Sequence, residues 1–185
     1  MDAKEFHRQL DSFYEAGDIP GAYRFLHAQL DTAQLRGDAA MSLTVSNALI
    51  GHCRENCIFE ELEGHYLEAL RCLDVLELRG SLEEATTLLN AATGFCVMGR
   101  IEESEDLFRS AEALYLALQA EMAFRRGDYA LAGERFEAIA EAWRRYGGAE
   151  QRRGVLLRNA QYSYEKAGDE AAAARIASLL TEVGK

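Results

Sequence analysis

The stretch Leu88-Leu-Asn-Ala-Ala-Thr-Gly-Phe-Cys-Val-Met-Gly-Arg-Ile-Glu-Glu-Ser-Glu-Asp-Leu-Phe-Arg-Ser-Ala111 decides how the chain is read. Its first half carries apolar residues at helical spacing, Leu88, Leu89, Ala92, Phe95 and Cys96, until Gly99 stops the pattern. Glycine takes the left-handed conformation that closes a helix without a Cβ penalty. A second run then opens with Glu102 and Glu103, acids that oppose the positive end of a new helix dipole. Two helices joined by so short a turn must fold back on each other, so the stretch predicts an antiparallel helical hairpin.

The same punctuation recurs on both sides. Gly17-Asp18, Gly37-Asp38, Gly127-Asp128 and Gly168-Asp169 each read as a helix stop and then an N-cap, because an aspartate carboxylate accepts the free N–H groups of the next first turn. Gly80-Ser81 does the same, with Glu84 placed to complete a capping box. Gly17 and Gly99 lie 82 residues apart, two periods of 41, and Gly127 and Gly168 lie 41 apart. The midpoint of the first interval falls at Ile58, just after the polar break Arg54-Glu55-Asn56, so a turn is expected there without a glycine.

Stripes at helical spacing fill the intervals, for example Phe6, Leu10, Phe13 and Tyr14, and Ala173, Ile176, Leu180 and Val183. Each stripe needs a partner face to bury it. The expected fold is all-α, a single domain over residues 1–185 of about five hairpins at roughly 3–36, 39–79, 82–111, 113–146 and 149–183. One interval departs from the period: Gly99 and Gly127 are only 28 apart, and 101–126 contain neither glycine nor proline. Leu114 to Arg126 reads as the first helix of a hairpin, which favours a turn near Ser110 over one long helix.

Ala92, Phe95, Gly99, Ser104, Phe108 and Ala111 occupy, in order, the small, aromatic and glycine places of a tetratricopeptide repeat, which the opening stretch resembles. Ala120, Gly127, Ala132 and Phe136 match a second copy, Tyr164, Gly168 and Ala173 a third, and Phe13, Gly17 and Ala22 a first. Residues 39–78 are degenerate, with Gly51 at the small position. The period of 41 is similar to the longer-helix subclass found in kinesin light chains and bacterial peptide-sensing regulators. The resemblance implies a right-handed superhelical array, a TPR-like α-solenoid, whose first helices line a concave peptide-binding groove. It therefore implies a protein–protein interaction module, an adaptor or regulatory scaffold.

Repeat register puts Asn90 and Asn159 at the groove position nine residues before the turn glycine, with Arg125, Arg158, Tyr162 and Lys166 nearby and His7, Arg8 and Tyr14 in the first repeat. Asn47 and Arg54 join them if the second repeat keeps register. An asparagine amide both donates and accepts, so it grips the backbone of an extended peptide whatever its sequence. The basic residues beside it suit an acidic or carboxylate-ended segment. The aromatics Phe13, Phe95, Phe108, Phe136 and Tyr164 fall at packing places and are expected in the core.

Composition agrees with this reading and excludes others. The 185 residues are 49% apolar with a single proline, which leaves neither a disordered chain nor a proline-rich linker. The net charge is -11 and the isoelectric point near 4.9, the wrong sign for neutralising nucleic-acid phosphates. No apolar run approaches the roughly 20 residues that span a bilayer. The mixed-charge N-terminus lacks the order of a secretion signal, so a cytoplasmic protein with Cys53, Cys57, Cys72 and Cys96 as reduced thiols is expected.

There is no phosphate loop or nucleophile elbow, so no catalytic activity, cofactor or metal is expected. The alternative from a different class is a small-ligand or metal-dependent enzyme using the cluster His52, Cys53, Cys57 and His65, whose spacing matches no common zinc pattern. A third is a purely structural array, in which the alanine-rich last helix offers an Ala/Ile/Leu face to a second copy as a homodimer.

Overall fold

The computed structural model describes residues 2–145 and 150–183, and all regular secondary structure among them is helical. In chain order the nine helices of the described residues are α1 (Ala3–Glu15), α2 (Ile19–Leu35), α3 (Ala39–Glu55), α4 (Phe59–Val75), α5 (Leu82–Val97), α6 (Ile101–Arg125), α7 (Tyr129–Arg145), α8 (Glu150–Ala167) and α9 (Glu170–Val183). None is long and apolar enough to cross a membrane.

The turns are built as the glycines dictate. Gly17, Gly37, Gly80, Gly99, Gly127 and Gly168 all have positive φ, between 65° and 83°. The capping acids then engage the next helix: Asp18 accepts from the Gly21 N–H at 2.9 Å, Asp38 from Met41 at 3.0 Å and Asp169 from Ala172 at 2.9 Å. Ser81 caps α5, and Glu84 reaches back to the Gly80 N–H at 2.6 Å. The unmarked turn lies at the expected midpoint, where Cys57 takes the left-handed place with φ 56° and Ile58 stands as N-cap before α4 without a side-chain hydrogen bond. Glu77 holds a second non-glycine left-handed turn, with φ 55°.

The turn favoured near Ser110 is absent, and α6 runs unbroken from Ile101 to Arg125. Nothing in that span breaks a helix, and the one local competitor is absorbed: the Ser110 hydroxyl donates to the Asp106 carbonyl one turn back at 2.9 Å. Phe108 is corrected with it. The ring is 38% exposed rather than in the core, because α6 runs straight past it instead of turning back to cover it.

The chain divides into two compact units, residues 1–111 and 112–185. In unit 1, α1 packs on α2, α2 on α3, α3 on α4 and α5, and α4 on α5. Phe6, Leu26, Val45 and Leu49 form one apolar cluster and Ile50, Cys53, Leu62 and Phe95 another. α5 approaches α4 at Gly94, where an added Cβ would stand 2.7 Å from a Leu62 methyl. The first turns of α6 close this unit, with Ser104 donating to the Ala92 carbonyl at 2.8 Å. In unit 2, α7, α8 and α9 bury Ala140, Leu157, Ala160, Tyr164, Ala173 and Ile176. Leu180 and Val183 pack there too, so the apolar face of α9 is covered within its own unit.

Candidate functional site

In unit 1 the first helices of successive hairpins, α1, α3 and α5, are tied side by side through polar groups. Asn47 of α3 donates to Thr87 Oγ1 of α5 at 2.9 Å and accepts from Asn90 Nδ2 at 3.1 Å. About two turns further along α3, Arg54 Nη1 donates to Thr93 Oγ1 at 2.8 Å while its other nitrogens hold Glu55. On the other flank of α3, the Tyr14 hydroxyl and His52 Nδ1 share a hydrogen bond of 2.9 Å. Burial holds His52 below the ordinary histidine range, so the ring is favoured neutral.

This polar row borders an open cleft of about 440 Å³ between α1, the start of α2 and the end of α3. Leu10, Tyr14, Ile19, Ala48, His52 and Arg54 line it, and Gly51 forms part of its wall. A Cβ at Gly51 would meet nothing within 4 Å, so the missing side chain is what keeps this wall open. Asn47, Asn90 and Arg54 are half-buried, and the Asn90 side chain donates to Asn47 through Nδ2 while its backbone carbonyl accepts from Thr93 Oγ1 at 2.8 Å.

The remaining groove residues divide between the units. His7 and Arg8 are exposed on α1, Arg8 paired with Glu5 of its own helix. In unit 2, Arg125 is exposed and paired with Glu121, and Arg158 and Asn159 are exposed on α8. Tyr162 stacks on Phe124 with ring centroids 5.7 Å apart, and the Lys166 ammonium lies 5.4 Å from the Tyr162 ring. Unit 2 therefore carries a patch of its own, aromatic at Tyr162 and basic at Lys166.

The quartet His52, Cys53, Cys57 and His65 is not assembled. Cys53 is fully buried among Ile50, Leu62 and Phe95, and burial pushes its thiol up to about 11, so it stays protonated. Cys57 is exposed in the turn, because the helix ends between the two cysteines and removes the shared face that a spacing of four supplies. His52 is taken by Tyr14, and His65 stands 3.5 Å from Glu61. All four cysteines are free thiols.

Sequence reasoning missed Thr87 and Thr93. Their signal is the period: Thr87 follows Asn47 by 40 residues and Thr93 follows Arg54 by 39, the spacing at which equivalent helices of neighbouring hairpins meet. No protein-family model and no curated protein sequence matches this chain.

Proposed function

We propose that the chain is a protein–protein interaction module in which α1, α3 and α5 hold an extended segment of a partner. One observation carries the reading: a half-buried row of paired amide, hydroxyl and guanidinium groups runs beside an apolar cleft whose wall is left open at Gly51. Amides that donate and accept suit a peptide backbone, and the cleft suits an apolar side chain of that peptide. The resemblance to tetratricopeptide repeats, whose first helices line a superhelical groove, supports the same face.

Arg54, and in unit 2 Arg158 and Lys166, are basic groups on a chain of net charge -11, which favours an acidic or carboxylate-ended partner segment. In unit 2, Arg158, Asn159 and Tyr162 offer a docking patch of their own, and Arg125 lends it charge once it parts from Glu121.

The test is selection of peptides with free C-termini from a random display library, followed by anisotropy measurements on variants. Gly51→Leu sends a side chain into the cleft from a Cβ that meets nothing within 4 Å and replaces a helical glycine, so it should melt no lower than the parent while binding at least tenfold more weakly. Failure to select any peptide, or unchanged affinity in Gly51→Leu, overturns the reading.

A further inference from the structure

We propose that His27, Glu61 and His65 form a binding site for one divalent first-row transition ion of the Zn2+ class, bridging α2 and α4 with further coordination positions open to solvent. Three ligand atoms converge there. His27 Nε2 lies 3.2 Å from Glu61 Oε2, His65 Nε2 lies 3.5 Å from the same oxygen, and all three atoms fall within 4.8 Å of one another. Zinc held tetrahedrally at about 2.0–2.1 Å needs ligand atoms roughly 3.3–3.4 Å apart. Two edges already match, and the broad χ2 well of a histidine ring allows the third to close.

These atoms face only one another. His27 Nε2, Glu61 Oε2 and His65 Nε2 are each buried, and beyond their mutual contacts at 3.2 and 3.5 Å none meets a hydrogen-bond partner among the described residues. Buried polar atoms seek partners, and a single cation satisfies all three at once.

The surroundings orient the site. The Tyr23 hydroxyl donates to Glu61 Oε1 at 2.6 Å, which leaves Oε2 facing the histidines, and the Tyr23 ring meets His27 edge-on at 4.4 Å. Such bonds to the far side of a ligand fix its orientation and are part of how metal sites are tuned. Glu61 and His65 stand one helical turn apart on α4, so one helix presents both, and α2 supplies the third. Two imidazoles and one carboxylate suit Zn2+, Ni2+, Cu2+ or Fe2+ and not the oxygen-seeking Mg2+ or Ca2+. His27 and Glu61 keep about a third of their side-chain surface exposed, which gives the ion a way in.

The experiment strips the full-length protein with a chelator and titrates it with Zn2+ in competition with a chromophoric chelator, circular dichroism confirming that each variant stays helical. The expected result is one Zn2+ per chain, lost in His27→Ala and in the near-isosteric Glu61→Gln. Tyr23→Phe should retain one site with affinity lowered 10- to 100-fold. A variant with Cys57→Ser and Cys96→Ser should bind as the parent does. Absence of stoichiometric binding at micromolar protein, persistence of the site in Glu61→Gln, or its loss in the cysteine variant would each overturn the proposal.

Discussion

Glu137 in unit 2 and Glu61 in unit 1 are both partly buried acids that accept a hydrogen bond from a tyrosine, and there the likeness ends. Glu137 has both oxygens engaged: Tyr164 donates to Oε2 at 2.9 Å, and the Arg175 guanidinium bonds Oε1 and Oε2. Glu61 gives Oε1 to Tyr23 and turns its buried Oε2 to two histidine nitrogens, at 3.2 and 3.5 Å. The saturated acid joins α7, α8 and α9 and belongs to the fold. The other meets on its second oxygen only two imidazoles, themselves metal ligands, and that marks the candidate site.

The comparison is broken most severely if unit 1 depends on its polar groups rather than its apolar core. Leu62 is fully buried against Gly94, so Leu62→Ala should cost about 2–5 kcal/mol in denaturant unfolding. A loss below about 1 kcal/mol would mean the α4–α5 core is not what holds the unit.

In unit 2 the expected effects are smaller and depend on pH. Arg175, followed by the Tyr164 hydroxyl, holds Glu137 below the usual carboxylate range despite the opposing effect of burial. A depressed folded-state pKa adds stability that is fully present above the unfolded value near 4.5 and is lost as pH falls through the lower folded value. Melting temperature followed downward from pH 6 should therefore drop more steeply in the parent than in Glu137→Gln. At neutral pH Tyr164→Phe, which removes a hydrogen bond to a charged acceptor, should cost about 1.5–3 kcal/mol. Equal acid limbs in parent and variant would remove Glu137 from the fold's account.

The turn at Cys57 sharpens the comparison from the other side. A side chain with φ 56° bears a strain that glycine does not, so Cys57→Gly should raise unit 1's stability by about 1 kcal/mol. The opposite substitution in unit 2, Gly168→Ala, should lower stability by a similar amount. Smallest of all are Arg158→Ala and Asn159→Ala, exposed on α8, which should shift unfolding by less than about 0.5 kcal/mol while weakening any selected peptide that docks there. Melting several degrees lower in both would make these side chains structural.

What the sequence made legible follows from range. A glycine followed by a capping residue is a local device with one conformation, so five of the six glycine turns read directly, and at Gly99, followed by Arg100, the glycine itself gives the turn. The turn at Cys57 is legible from the period and the polar break Arg54-Glu55-Asn56, since cysteine carries no preference for positive φ. α6 shows the limit of the period: register asked for a turn near Ser110, but the chain between 101 and 126 holds nothing that stops a helix, and local propensity prevailed.

The polar row was half legible. Asn90 and Asn47 came from register, whereas their hydrogen bond depends on α3 and α5 meeting across 43 residues. The group at His27, Glu61 and His65 was hidden because Glu61 lies in an acidic run that reads as helix-dipole compensation. Its partner His27 is 34 residues upstream on another helix, with no local motif to join them.

The claim that His27, Glu61 and His65 of unit 1 are kept for a ligand rather than for folding is tested most directly by the melting temperature of His27→Phe, with chelator and with Zn2+. Phenylalanine retains an aromatic ring against Tyr23 and removes the ligand atom Nε2. The account predicts that in chelator the variant melts at or above the parent. With Zn2+ at about 100 times its dissociation constant the parent should gain about 2.7 kcal/mol, a rise of roughly 5–10 °C, and the variant should gain nothing. A variant that melts several degrees below the parent in chelator, or a parent that does not respond to Zn2+, would contradict it.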